Sequence, residues 1–178
     1  MAKSIPIVAA ANGKRALMQG QGFENVGEQT LFWYAPWPEA ESDGVRVATW
    51  ERDRLGYFRA FQGRSMAAIQ EAHFVSAPID LEGRSAQLFL NLDGISAHSG
   101  VNVEIVDEKF NKLAGYGAEV CIAPTTGGFE QAVRWQEQES IHHASSPIRL
   151  RVNFMGERPE DVRLFALYLR DVVDGAHE

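Results

Sequence analysis

The stretch 101-VNVEIVD-107 decides the fold class, because apolar and polar residues alternate along it. One side of the extended chain carries Val101, Val103 and Ile105, and the other carries Asn102, Glu104 and Val106. Successive side chains of a strand point to opposite faces, so this pattern predicts a strand with one buried face. The polar residues 107-DEKFNK-112 supply a turn directly after it.

Outward from this strand, similar segments recur with turn residues between them. They are 45-VRVATW-50, 55-LGYFRAF-61, 86-AQLFLNL-92, 131-QAVRWQ-136, 148-IRLRVNF-154 and 162-VRLFALYL-169. Only 64-RSMAAIQEAHF-74 is compatible with a helix. About ten short strands separated by turns predict an all-β fold. We expect a two-sheet antiparallel β-sandwich of jelly-roll-like type.

The length of 178 residues fits one domain, or one domain with a small companion. Composition changes near 62-QGRS-65, from aromatic-rich segments to a more regular strand pattern. We therefore predict an N-terminal β segment over residues 1–62 and a β-sandwich domain over residues 63–178.

The charge of the chain disfavours two classes of partner. Net charge is −7, and the lysines and arginines are scattered rather than clustered. Nucleic acids and anionic membranes bind clustered cations, so neither is expected as a partner. No apolar run approaches the roughly 20 residues of a membrane-spanning helix. The first residues, with Pro6 in a short apolar patch, make a poor signal peptide, and the localisation stays open.

Metal and nucleophile chemistry have weak signals. Cys121 is the single cysteine, so no disulfide can form within the chain, and His142 and His143 would face opposite ways on a strand. No cofactor is predicted, with a structural Ca²⁺ as the alternative. Its candidate oxygen ligands are Asp43, Glu51, Asp53, Asp80 and Asp93, without the regular spacing of a dedicated calcium loop.

The order of motifs from Gly83 to Leu169 resembles the β-sandwich that follows the propeller in bacterial five-bladed-propeller glycoside hydrolases. The shared elements are a Val-Glu hairpin strand at 103–107 closed by Gly115-Tyr116, a Val-Arg-Trp strand at 133–135 and the final strand 162–169. The family's turn glycine is replaced here by Phe110-Asn111. Asn111 is expected to accommodate the left-handed backbone.

The N-terminal third resembles the end of a last propeller blade. The stretches 19-QGQGFENVGEQTLFWYAPW-37 and 45-VRVATWERDRLGYF-58 carry this likeness. In those hydrolases the catalytic carboxylates come from several blades, and one blade cannot place two of them roughly 5 to 10 Å apart. The resemblance thus implies an accessory module rather than an enzyme, or the C-terminal part of a glycoside hydrolase that is inactive alone.

The leading functional hypothesis is non-catalytic carbohydrate binding. Sugar rings present C–H faces that pack on aromatic rings, and their hydroxyls need polar partners. Trp33, Trp37 and Tyr57 are the stacking candidates, and Glu24, Asn25 and Arg52 the polar ones. The commoner role of such residues is in cores, corners and turns.

A structural or assembly protein that packs its sandwich against a partner subunit or itself is the alternative. Expected partners are therefore a carbohydrate, the rest of a glycoside hydrolase, or a second copy of the chain. In addition, Arg149, Arg151 and Arg163 alternate along two strands that are expected to be adjacent, and would line one exposed sheet face. That face is either solvated or suited to an acidic partner or glycan.

Overall fold

A computed structural model of the protein describes residues 16–37, 45–60, 72–142 and 146–172. The chain divides into two compact units, residues 1–57 and residues 58–178. Within the described ranges the regular structure consists of ten β-strands and two single 3₁₀ turns, Ala118–Val120 and Pro159–Asp161. The predicted all-β class is confirmed, since the strands form three antiparallel sheets.

The described residues of the first unit form a three-stranded sheet in the order β1-β2-β3. Its strands are β1 (Ala16–Val26), β2 (Gln29–Trp37) and β3 (Arg46–Glu51). A two-residue turn joins β1 to β2, and Gly27 there has a φ of 58°, which glycine adopts without a steric penalty. The register of β1 shifts between Gln19 and Phe23, so the strand carries an irregularity opposite β2.

In the second unit the residues that the structure describes form a four-stranded and a three-stranded sheet, in the orders β10-β5-β8-β7 and β4-β9-β6. The strands are β4 (His73–Val75), β5 (Ala86–Asp93), β6 (Gly100–Asp107), β7 (Cys121–Ile122), β8 (Gly128–Trp135), β9 (Ile148–Met155) and β10 (Arg163–Asp171). All their pairings are antiparallel.

Both sheets of the second unit contribute to one hydrophobic core. Its fully buried members include Leu88, Leu90 and Leu92 of β5, Val101, Val103 and Ile105 of β6, Val133 of β8, and Val152 of β9. Trp135 of β8 joins the two sheets, because its indole Nε1 donates a hydrogen bond of 3.1 Å to the carbonyl oxygen of Val103 on β6. The face with Val101, Val103 and Ile105 is buried in this core as predicted, but Glu104 and Val106 of the opposite face are buried as well.

The segment 64–74, which the sequence suggests as a helix, ends in a strand in the structure. Residues 64–71 lie outside the described ranges, as does the seam predicted at 62–65. His73 and Phe74, the last two residues of the proposed helix, lie in β4 and pair with β9. A helix reaching residue 74 is therefore wrong, because these residues complete a sheet edge.

The turn after β6 corrects a second prediction. Phe110, not Asn111, takes the left-handed backbone, with a φ of 65°. Asn111 instead donates hydrogen bonds from its amide nitrogen and its side-chain Nδ2 to the Asp107 carboxylate, at 2.8 and 2.9 Å. The side-chain bond from Asn111, followed by its backbone bond, holds the pKa of Asp107 below its ordinary value. The hydrogen bonds between Asn111 and Asp107 close the turn, and Phe110 adopts the strained backbone conformation within it.

Glycine at position 110 is expected to give a more stable protein than alanine at the same position. A residue with a side chain pays about 1–2 kcal/mol for the left-handed conformation, and glycine avoids that cost. Phe110→Ala is the matched control, because it also removes the ring that lies 5.1 Å from the Arg149 guanidinium but keeps the strained Cβ. Urea denaturation should show Phe110→Gly more stable than Phe110→Ala by about 1 kcal/mol. Equal stabilities would contradict the strain.

Candidate functional site

Asn25 belongs to a small hydrogen-bonded network in the first unit. Its Nδ2 donates to Asp53 Oδ1 at 2.6 Å, and its Oδ1 accepts from the Thr30 hydroxyl at 2.6 Å. The Thr30 hydroxyl in turn accepts from the Asp53 amide at 2.7 Å. These contacts tie the turn after β3 to the β1–β2 hairpin. The amide proposed to bind sugar hydroxyls therefore has a structural role in the hairpin.

Arg52 contacts the same hairpin from the turn after β3. Its backbone amide donates to the carbonyl of Glu28 at 2.9 Å, and its Nη1 donates to the carbonyl of Gly27 at 3.3 Å. Glu24 is exposed on β1 and is directly opposite Leu31 of β2. Because neighbouring strand residues point to opposite faces, Glu24 and Asn25 are not brought to the same face of the sheet.

The proposed stacking aromatics are also distributed over the first unit. Trp33 is half-buried and pairs with Val47, on the face of the sheet that carries Glu24. Tyr57 is half-buried in the chain after β3. Trp37 is the last residue of β2, and its side chain lies outside the described part of the structure. Trp33 and Glu24 thus share a face, and Asn25 lies on the other.

A second aromatic group lies on the outer face of the four-stranded sheet, opposite the buried leucines of β5. We call it the ring face and define it by six residues: Phe89, Asn91, Phe129, Glu130, Tyr168 and Arg170. The Phe129 and Tyr168 rings meet edge to face, with centroids 5.5 Å apart. Tyr168 of β10 is directly opposite Phe89 of β5, so the three rings occupy neighbouring strands.

A β-bulge in β8 builds one side of the ring face. Leu90 pairs with Gln131 and Leu92 pairs with Gly128, so residues 129 and 130 both oppose the one residue between the two leucines. Such a bulge re-aims side chains, and here Phe129 contacts Tyr168 while the Glu130 carboxylate pairs with the Arg170 guanidinium. Two side chains of one strand therefore reach toward β10 over the same outer face.

Polar groups border the three rings. The Asn91 side chain is fully buried, and its Nδ2 donates to the Tyr168 hydroxyl at 3.4 Å. The Arg170 guanidinium lies 5.1 Å from the centroid of the Phe89 ring while it pairs with Glu130. Phe129 is 40% exposed, and the side chain of Arg170 is 55% exposed. The ring face thus combines an accessible apolar surface with a carboxylate, a guanidinium and a phenol.

The sequence did not predict the ring face, because its tryptophans placed the candidate aromatic site in the first unit. One signal was present: Phe89 occupies an outward position in a strand whose inward positions are Ala86 and three leucines. An aromatic residue at such a position is exposed unless something covers it. Phe89 meets its neighbours in the ring face because β10 and β8 lie on either side of β5. The alternation of apolar and polar residues along the sequence does not reveal this strand order.

The outer face of the β4-β9-β6 sheet carries a charged network around Glu104. The Glu104 side chain is 5% exposed; its Oε2 lies 2.9 Å from Lys112 Nζ and its Oε1 lies 3.5 Å from Arg151 Nε. Asn153 Nδ2 donates to Oε1 at 3.1 Å. Burial acts to raise the pKa of Glu104, but the bonds from Lys112 and Asn153 and the two positive charges outweigh it and lower the pKa.

The arginines predicted to line one sheet face lie on two sheets. Arg149 and Arg151 belong to β9. Arg163 belongs to β10 and is opposite Asp93 of β5 in the other sheet. The prediction of a single face with three arginines is therefore wrong. The cations on the outer face of β9 are engaged locally, since Arg149 donates to the carbonyl of Ser76 at 2.9 Å and Arg151 lies beside Glu104.

Metal ligation and nucleophilic chemistry find little support among the described residues. In those ranges no group of three or more histidine, cysteine, aspartate or glutamate residues is arranged to hold a metal ion. Asp43 and His143 lie outside them. Burial raises the pKa of the Cys121 thiol, although the Val103 amide donates to its sulfur at 3.3 Å. A thiol with a raised pKa is a poor nucleophile at neutral pH.

Comparison of the chain with protein-family models, with curated protein sequences and with solved structures finds no match. Within the described ranges, no helix is long and apolar enough to cross a membrane.

Proposed function

We propose that the protein is a non-catalytic carbohydrate-binding or accessory module and that the ring face is its binding surface. The observation that carries the proposal is the placement of Phe89, Phe129 and Tyr168 on one outer sheet face, bordered by polar side chains. In the proposal the four-stranded and β4-β9-β6 sheets form a jelly-roll-like sandwich, with a propeller-like segment before it.

The chemistry of the ring face suits a sugar chain. Aromatic rings present a flat apolar surface on which the C–H face of a pyranose packs. Hydroxyls at the edge of the same sugar need donors and acceptors, which Arg170 and Glu130 supply side by side. The rings are neighbours across antiparallel strands, so one ligand lying across the strands can contact all three.

The hypotheses from the sequence fit into this proposal in two ways. The relationship to five-bladed-propeller glycoside hydrolases rests on the order of the sequence motifs. A second sugar contact in the first unit stays a prediction. Its candidate residues are Trp33, Trp37, Tyr57, Glu24, Asn25 and Arg52. The internal hydrogen bonds of Asn25 and Arg52 make these two weaker ligands than the polar residues of the ring face.

Assembly through a protein–protein interface is the second candidate. It is favoured by exposed apolar side chains in the first unit, where Phe23 is 61% exposed and Val45 is 70% exposed. Aromatic residues and arginine are also enriched at protein interfaces, so the ring face is compatible with this role. A glycan binder keeps its rings accessible in solution, whereas an assembly protein elutes as a stable oligomer that covers them.

Loss of the Phe129 ring is expected to weaken carbohydrate binding about tenfold, the loss that follows when roughly 1.5 kcal/mol of stacking is removed. Isothermal titration of the full chain with a panel of soluble oligosaccharides and polysaccharides measures the affinity of Phe129→Ala. Phe110→Ala is the matched control, because Phe110 is 60% exposed on a turn away from the ring face. It should bind as the wild type does. Equal loss in both variants would contradict the ring face as the binding surface, and a stable oligomer that binds no sugar would favour the assembly function.

A further inference from the structure

We infer that the ring face selects neutral glycans over acidic ones, with Glu130 as the residue that sets this selectivity. The inference rests on the proposed function of the ring face. It follows from the contact between the Glu130 carboxylate and the Arg170 guanidinium beside the Phe89 ring.

The backbone at Glu130 is strained within the bulge of β8. Glu130 has a φ of 55°, in the left-handed region that side-chain-bearing residues rarely adopt. This conformation is unfavourable for a residue with a side chain, and such strain concentrates at functional positions. The bulge and this strained conformation together direct the carboxylate toward β10, where it reaches Arg170 across the central strand of the ring face.

An unpaired arginine at this position would favour acidic sugars. The guanidinium fork binds a carboxylate through two parallel hydrogen bonds, and a uronic acid carries such a carboxylate. The Glu130 carboxylate occupies the position beside Arg170 that the carboxylate of an acidic sugar would take. Its negative charge also repels an incoming carboxylate. The affinity for acidic glycans is therefore lowered twice, by competition for Arg170 and by repulsion.

A neutral sugar, in contrast, can bind both members of the Glu130–Arg170 pair. Neighbouring hydroxyls can donate to a carboxylate and accept from a guanidinium at once, so the Glu130–Arg170 pair offers complementary partners to one diol. Arg134, at an outward position of β8, also has a carboxylate near it, since its Nη1 lies 3.8 Å from Glu139 Oε1. The paired charges leave no net attraction for an anionic ligand in this part of the sheet.

The test compares Glu130→Gln with the wild type and with Glu82→Gln. Glutamine keeps the length of the side chain and the strained backbone and removes the charge. Glu82 is the matched control, because it also has a left-handed φ, of 53°, and lies 3.4 Å from an arginine, Arg84, but is outside the ring face. Full-length proteins are titrated with xylohexaose and cellohexaose as neutral probes and with hexagalacturonate as the acidic probe.

The wild type and Glu82→Gln should bind a neutral probe about tenfold more tightly than hexagalacturonate, given the strength of hydrogen bonds to charged groups. Glu130→Gln should lose about tenfold in affinity for that neutral probe and gain several-fold for hexagalacturonate. Tighter binding of the acidic probe by the wild type, or unchanged selectivity in Glu130→Gln, would overturn the inference while carbohydrate binding stands. Absence of binding to every probe would refute the proposed function itself.

Discussion

Trp135→Ala is expected to lower the free energy of unfolding by about 4 kcal/mol, the cost typical of removing a buried tryptophan ring. Trp135 is 1% exposed and packs edge to face against Tyr116, with ring centroids 5.1 Å apart. Its indole nitrogen also bonds to the carbonyl of Val103 on the other sheet. Truncation therefore opens a cavity between the sheets and leaves the Val103 carbonyl without this donor.

Two further variants keep this prediction measurable if Trp135→Ala does not fold. Trp135→Phe retains most of the apolar volume and should cost about 2 kcal/mol, because the indole donor is lost and a small void remains. Phe129→Ala removes an exposed ring and should stay within about 1 kcal/mol of the wild type. Urea denaturation followed by circular dichroism gives all three values. A cost below that of Phe129→Ala for either tryptophan variant would mean that Trp135 does not hold the two sheets together.

The sequence predicted β5, β6, β8, β9 and β10 because their pattern reflects burial. The predicted strand 55-LGYFRAF-61 is wrong over residues 55–60, where the structure has only a single bridge between Phe58 and Leu164. Val103 and Ile105 alternate with polar residues since one face of β6 is buried in the core. The same reasoning holds for β5, whose leucines at positions 88, 90 and 92 are all buried. Periodicity reports which face of a strand is covered, and this information is local along the chain.

The order of strands in the sheets is a property of distant contacts, and local patterns do not contain it. Arg151 and Arg163 have similar surroundings in sequence, yet β9 and β10 belong to different sheets. The ring face depends on the same kind of information, because β5 brings Phe89 between Tyr168 and the bulge of β8 only through its pairings. Sites assembled across strands are therefore harder to predict than the strands themselves.

The turn after β6 shows a different limit. Asparagine tolerates the left-handed region better than phenylalanine, so propensity favoured Asn111 for that conformation. The structure instead uses Asn111 to donate to Asp107, and the turn then requires positive φ at Phe110. The hydrogen bonds of one side chain outweighed the conformational preference of its neighbour.

Glu104→Gln is expected to lower the free energy of unfolding by about 2 kcal/mol at neutral pH, the scale of hydrogen bonds to a charged group. The carboxylate is buried; one of its oxygens pairs with the Lys112 ammonium, and the other accepts a hydrogen bond from Asn153. A neutral amide weakens both contacts and leaves Arg151 beside an uncharged group. Glu119→Gln is the matched control: Glu119 lies 3.7 Å from the same Lys112 Nζ but its side chain is 69% exposed, and exposed pairs contribute less than about 1 kcal/mol.

The pH dependence of this difference has a definite sign. The pKa of Glu104 is lowered in the folded protein from an ordinary value of 4.5, so the carboxylate contributes its full stabilisation above that value. The contribution is lost as the pH falls below 4.5 and through the lower pKa of the folded state. Urea titrations at neutral pH and at a series of acidic pH values should therefore show the wild type and Glu104→Gln converging on acidification. A constant difference across that window would mean that Glu104 is not stabilised as an anion, and that the network on the β4-β9-β6 sheet acts through shape rather than charge.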